Sequence, residues 1–145
     1  MPSRTARTAW NGTLQEGSGQ VELTSSGVGT YEVSFPKRAA DESPGTTSPE
    51  ELIAAAHAAC YAMSLSNEIA QLGGTPQALD VTAAVTLGAD PNGGFAITGI
   101  TLTVEGEVDG LDEAGFDKAA QAAKVGCPVS KALTGTDIQL QASFG

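Results

Sequence analysis

The stretch 48–74 constrains this chain more than any other. Ser48 is a helix N-cap residue, Pro49 suits the first helical position, and Glu50 and Glu51 suit the positive end of a helix dipole. Glu51, three positions after Ser48, completes the pattern of a capping box. The helix opened in this way is expected to run to about Leu72 and to stop at Gly73-Gly74. Over 52–63 it is apolar or small on nearly every face, interrupted by His57. Such a helix is expected to be buried all round, in a core or between subunits. The run is too short to span a bilayer.

The flanking segments supply the sheets. Residues 5–10 meet an Asn11-Gly12 turn signal, and 19–24 carry alternating Val21 and Leu23. In 30–35, Tyr31, Val33 and Phe35 alternate with Thr30, Glu32 and Ser34, the pattern of a half-buried strand, and 37–47 reads as a polar loop. Beyond the helix, 81–87 and 95–108 are expected to be strands joined at Asp90-Pro91-Asn92-Gly93-Gly94. A second helix over 111–125 has Leu111, Phe116, Ala119, Ala120 and Ala123 as apolar members, and Gly126-Cys127-Pro128 breaks it. A short helix at 129–133 and an alternating strand at 138–144 close the chain. The expected class is α+β, as a single domain over 1–145, since no linker divides the chain.

Charge narrows the function. Seventeen acidic residues against seven basic ones give a net charge of -10. Arg4, Arg7, Lys37, Arg38, Lys118, Lys124 and Lys131 are too scattered to form a basic stripe, so neither nucleic acid nor an anionic membrane is an expected partner. Aromatic residues, at 5%, form no recognition stripe around Trp10. Gly73-Gly74 and Gly93-Gly94 are turn glycines rather than a phosphate loop. The first residues lack the apolar stretch of a signal peptide, and a soluble, cytoplasmic protein is expected.

Two cysteines and one histidine then carry the chemistry. Reducing conditions argue against a structural disulfide, and three Cys and His residues fall short of the four ligands of a structural zinc site, so no metal is expected. Cys127 precedes Pro128, a plausible first helical residue, which makes Cys127 the more acidic thiol on local electrostatics. Cys60 sits mid-helix, where backbone N–H groups are already engaged. Taking an ordinary thiol from a pKa of about 8.5 to about 6 needs roughly 3 kcal/mol, and burial opposes it. A reactive Cys60 therefore needs a cation held close by. Three positions earlier, His57 shares its helical face, where a packed histidine is a better expectation than a Cys–His dyad.

The motif Pro49-Glu50-Glu51-Leu52-Ile53-Ala54-Ala55-Ala56-His57-Ala58-Ala59-Cys60 resembles the first cysteine motif of the OsmC/Ohr family, the osmotically inducible and organic hydroperoxide resistance proteins. Gly126-Cys127-Pro128-Val129-Ser130-Lys131-Ala132-Leu133 resembles the second, and Gly94-Phe95-Ala96-Ile97-Thr98 is similar to a strand of the OsmC branch. The resemblance implies antiparallel sheets around a long buried central helix in an intertwined homodimer with active sites at the subunit boundary. It also implies a thiol peroxidase of oxidative or osmotic stress defence that reduces organic hydroperoxides to alcohols. Cys60 would attack the peroxide and Cys127 would resolve the sulfenic acid as a disulfide. An external dithiol, a lipoyl group or a small thiol, would reduce that disulfide, with no resident cofactor. By the same resemblance Arg38 stabilises the thiolate and Glu50 is its partner.

A guanidinium suits that role better than the neighbouring Lys37, because its planar fork binds a carboxylate and a thiolate together. Glu50 and Cys60 are ten residues apart, about 15 Å along a helix axis, which makes supply of the charged pair from a second chain attractive and leaves supply within one chain open. Two other readings stand beside the enzyme. One is a non-catalytic dimeric protein holding an apolar ligand against Leu52, Ile53, Met63 and Leu65; the other is a thiol redox sensor.

Overall fold

The computed structural model describes residues Met1–Gly145, which fall into two compact units, Met1–Leu52 and Ile53–Gly145. In the first, the alternating segments form an antiparallel meander of β1 (Arg7–Asn11), β2 (Ser18–Glu22) and β3 (Thr30–Val33). Val21, on the central strand, is its buried apolar residue, whereas Tyr31 is exposed. The third strand is shorter than the alternation predicts, and the expected loop begins as a helical turn, α1 (Phe35–Arg38). Ser34 causes this: its hydroxyl accepts the Lys37 N–H at 3.3 Å, with Pro36 in the first turn. Arg38 thereby sits at the end of a capped turn rather than in an open loop.

The long helix α2 spans Pro49–Gln71. Ser48 caps it, its hydroxyl accepting the Glu51 N–H at 3.1 Å. The expected capping box is only half made, because the Glu51 carboxylate takes its hydrogen bond from the Thr47 hydroxyl. At the other end Gly73 has φ +87°, its N–H reaches the Ala70 carbonyl, and the Gly74 N–H reaches that of Ile69. That pairing is a Schellman stop, which requires the left-handed residue that glycine supplies. No helix of the chain is long and apolar enough to cross a membrane.

In the second unit, β4 (Thr75–Ala89) and β5 (Phe95–Asp109) form a long hairpin. The early part of β4 is not legible as a strand because Pro76 and a register shift beside it break the alternation. Pro76 is tolerated because β4 is the sheet edge. After β5 come α3 (Glu113–Gly126), α4 (Pro128–Ala132) and β6 (Ile138–Phe144). β6 pairs with β5 in parallel, so this sheet is mixed rather than antiparallel as expected. Two helices intervene between these strands, and such a crossover returns the chain in the same direction.

The core of this unit joins one stripe of α2 (Tyr61, Leu65 and Ile69), one face of β5 (Leu102, Val104 and Val108) and the apolar side of α3 (Phe116, Ala119, Ala120 and Ala123). The spacing 57, 61, 65, 69 is a single helical face. Burial all round α2 is therefore not found within one chain, where Met63 is 74% exposed. A single chain has one sheet-and-helix layer to offer this part of the helix, and the opposite apolar positions lie outside it. Phe116 stacks at a tilt on Phe144, ring centroids 5.4 Å apart, over Gly106 of β5.

A Cβ on Gly106 would stand 2.5 Å from the Phe116 ring, so Gly106→Ala is expected to cost about 1–3 kcal/mol of stability through overpacking. Urea unfolding measures this, and a midpoint equal to that of the native chain would mean that the ring relaxes freely.

Candidate active site

Cys127 occupies a junction. Its N–H closes α3 on the Ala123 carbonyl at 2.9 Å, and its own carbonyl accepts the Lys131 N–H at 3.0 Å to open α4. Pro128 takes the first turn of α4, as its sequence position predicts. This double cap holds the side chain in the core, where Cys127 is fully buried. Cys60, halfway along α2, is half-buried, and the two thiols interact side chain to side chain. The structure thus brings together the two cysteines that the sequence separates by 67 positions.

Their electrostatics differ. Burial pushes the Cys60 thiol up, and its contact with Cys127 pushes it further, against weaker help from the Val129 backbone and the Ser64 hydroxyl. Burial also works against the Cys127 thiolate. There, however, the Cys60 thiol, the backbone and hydroxyl of Ser130 and the Val129 backbone together outweigh it, leaving Cys127 below its ordinary value. The resting pair therefore has its more acidic thiol at the buried position and its more accessible thiol on α2.

His57 does not form a dyad with Cys60. It is fully buried at the head of the α2 stripe, with Nε2 2.7 Å from the Ser130 hydroxyl. Burial holds its pKa below the ordinary 6.5. Ser130, 4% exposed, thus bonds the imidazole and favours the Cys127 thiolate. Sequence reasoning missed Ser130; the available signal was its place three residues after Cys127, on the first turn that Pro128 opens.

Arg38 and Glu50 are brought together within the first unit. Arg38 Nε and Nη2 donate to the two Glu50 carboxylate oxygens at 2.9 and 2.8 Å, a fork that leaves Nη1 outside the pair. The Glu50 hydrogen bond raises the Arg38 pKa. Arg38 lines a cavity of about 390 Å³ with Trp10, Leu14, Phe35, Pro49 and Leu52, an apolar wall with one guanidinium in it. Lys37 is exposed. The four residues expected to line an apolar ligand site do not share a face: Leu65 is fully buried in the core while Met63 is exposed. No group of three or more His, Cys, Asp or Glu side chains is placed to hold a metal ion.

Residues 40–141 match the family described as OsmC-like protein. The chain is similar to "Peroxiredoxin OsmC" of Escherichia coli K12, 44% identical over 124 residues, 86% of this chain and 85% of that protein. Its fold is similar to that of the organic hydroperoxide resistance protein OhrB of Bacillus subtilis, with a TM-score of 0.75 and 30% identity over 96% of this chain and 98% of that one. An organic hydroperoxide resistance protein from Elizabethkingia anophelis is similar over 99% of each chain, with a TM-score of 0.74 and 26% identity.

The buried imidazole has a consequence for stability. Its folded pKa lies below the unfolded value of 6.5, so the unfolded chain binds the proton more readily. Stability from this group is whole above pH 6.5 and falls as the pH drops below it. Thermal melts between pH 7.5 and 5.5 are expected to decline more steeply for the native chain than for His57→Gln, and parallel slopes would refute the assignment.

Proposed function

The chain belongs to the OsmC-like protein family, and we propose on that footing that it reduces organic hydroperoxides to alcohols through a Cys60 sulfenic acid resolved by Cys127. It is a peroxide-reducing enzyme, like the peroxiredoxin and hydroperoxide resistance proteins it resembles. The observation that carries the finer reading is the direct contact of an accessible thiol with a buried, more acidic one.

Acidity alone favours Cys127 as nucleophile, but Cys127 is fully buried and an alkyl peroxide must reach sulfur. Access therefore favours Cys60. The Cys60 thiolate attacks one peroxide oxygen; a sulfur–oxygen bond forms, the oxygen–oxygen bond breaks, and the alkoxide leaves with a proton as the alcohol. Cys127 then condenses with the sulfenic acid, releasing water and leaving a disulfide. A dithiol or lipoyl-type reductant from outside returns both thiols.

Because burial opposes the Cys60 thiolate, the mechanism needs a cation. Arg38 is our choice, oriented by its fork on Glu50 with Nη1 still available. The apolar cavity that Arg38 lines suits an alkyl peroxide, each buried methylene adding about 0.8 kcal/mol. We assign this pair to the partner chain of a homodimer, in which the exposed apolar side of α2 around Met63 is covered by the second copy.

Cys60→Ser is expected to abolish consumption of cumene hydroperoxide. Cys127→Ser should consume about one equivalent and stall as a sulfenic or overoxidised species. Mass spectrometry after stoichiometric peroxide should find a Cys60–Cys127 crosslink in the native chain, and an exchange of the two variant phenotypes would reverse the roles. Cumene hydroperoxide should be a better substrate than hydrogen peroxide.

Arg38→Ala should slow peroxide reduction more at pH 7 than at pH 9, since removing the cation raises the Cys60 pKa, and Lys37→Ala should do much less. Mixed dimers with Arg38→Ala on one chain and Cys60→Ser on the other separate the two arrangements. Recovery of about half the native activity means one intact site built in trans. No recovery in verified mixed dimers puts Arg38 and Cys60 to work within one chain.

A further inference from the structure

We propose that His57 and Ser130 are positioning residues for Cys127, a buried donor chain that aims a hydrogen bond at the sulfur that resolves the oxidised Cys60. The inference rests on the functional reading above for its timing, but not for its geometry. His57 is fully buried and Ser130 is 4% exposed, their Nε2 and Oγ atoms 2.7 Å apart. Burying such a pair costs desolvation that two apolar side chains would avoid. Packing alone does not explain it.

The orphaned ring nitrogen fixes the direction of the chain. His57 Nδ1 is buried without a hydrogen-bond partner. A proton on Nδ1 would leave a buried donor unpaired, whereas a proton on Nε2 leaves only a bare lone pair, the better tolerated of the two. Nε2–H then donates to Ser130 Oγ, which already has its donor and turns its own proton elsewhere. The second neighbour of that hydroxyl is the Cys127 thiol, three residues earlier on the same turn. Imidazole N–H, serine O–H and cysteine sulfur thus follow one another as a chain of neighbours in which each link can polarise the next. Cys60 and Tyr61 of α2 are the titratable groups acting at Cys127, and buried Tyr61 keeps its proton.

In the step this serves, the Cys127 thiolate attacks the sulfur of the Cys60 sulfenic acid. The sulfur–sulfur bond forms, the sulfur–oxygen bond breaks, and the departing hydroxide takes up the proton given up by the Cys127 thiol, leaving as water. His57 and Ser130 keep their protons throughout. Their contribution is to hold the thiolate and its aim.

The test uses Ser130→Ala, His57→Leu and His57→Gln, the last keeping an N–H near the Nε2 position. In a Cys60→Ser background, ultraviolet absorbance of the lone thiolate titrates Cys127 without any peroxide chemistry. In chains with both cysteines, quenched-flow mass spectrometry follows sulfenic acid to disulfide after one equivalent of cumene hydroperoxide. Ser130→Ala and His57→Leu should raise the Cys127 midpoint and slow disulfide formation about tenfold, with the first oxidation at its native rate. His57→Gln should restore both. An unmoved midpoint in Ser130→Ala overturns the proposal, as does a folded His57→Gln as impaired as His57→Leu, which would reduce His57 to packing. If the native chain consumes no peroxide, the functional reading fails while the titration still decides this one.

Discussion

The hydrogen bond from the Tyr61 hydroxyl to the Ala120 carbonyl, 3.0 Å long and fully buried, fixes the second unit. Tyr61 is the residue after Cys60 on α2, and Ala120 lies two turns before Cys127 on α3. A buried phenol must place its hydroxyl on an acceptor, and a helix carbonyl is a rigid one. The pair therefore sets the register between two helices whose apolar stripes alone would tolerate sliding. Leu65 and Ile69 continue that stripe, and Phe116 and Ala123 receive it. The meeting of the two thiols is a consequence of this packing.

The two thiols are held in opposed conditions. Cys127 is stabilised as a thiolate by the groups around it but is closed to solvent; Cys60 is half-buried, and burial and its neighbour penalise its thiolate. On the mechanism we propose, this arrangement divides labour: the more accessible sulfur meets the oxidant, and the enclosed, more acidic one attacks the oxidised sulfur beside it. Burial disfavours the Cys60 thiolate, and in the proposed mechanism the Arg38–Glu50 fork answers this: bound to a carboxylate on two nitrogens, the guanidinium is already oriented.

Much of this was legible in the residues. Ser48-Pro49 and Gly73-Gly74 bounded α2 because caps and stops are local chemistry, decided by a hydroxyl within reach of an N–H and by a residue free to adopt positive φ. The apolar side of α3 and the closing strand β6 followed from periodicity. Where local signals conflict, the pattern misleads: Ser34-Phe35-Pro36 opens a capped turn inside an apparent alternation, and Pro76 hides the start of β4. The apolar composition of α2 predicts burial all round, yet it decides only which faces are apolar, not how many are covered by the same chain.

The sequence by itself determined most of the elements, both ends of α2 and the identity of the two sulfurs, because each depends on neighbours within a few residues. The tertiary structure decided what those neighbours could not. Parallel pairing of β5 with β6 depends on the path of the intervening helices. The bond between His57 and Ser130 joins residues 73 positions apart, and the relative acidity of the thiols depends on which groups surround each sulfur. A pKa is set by desolvation and by charges within a few ångströms, and those distances exist only once the chain has closed on itself.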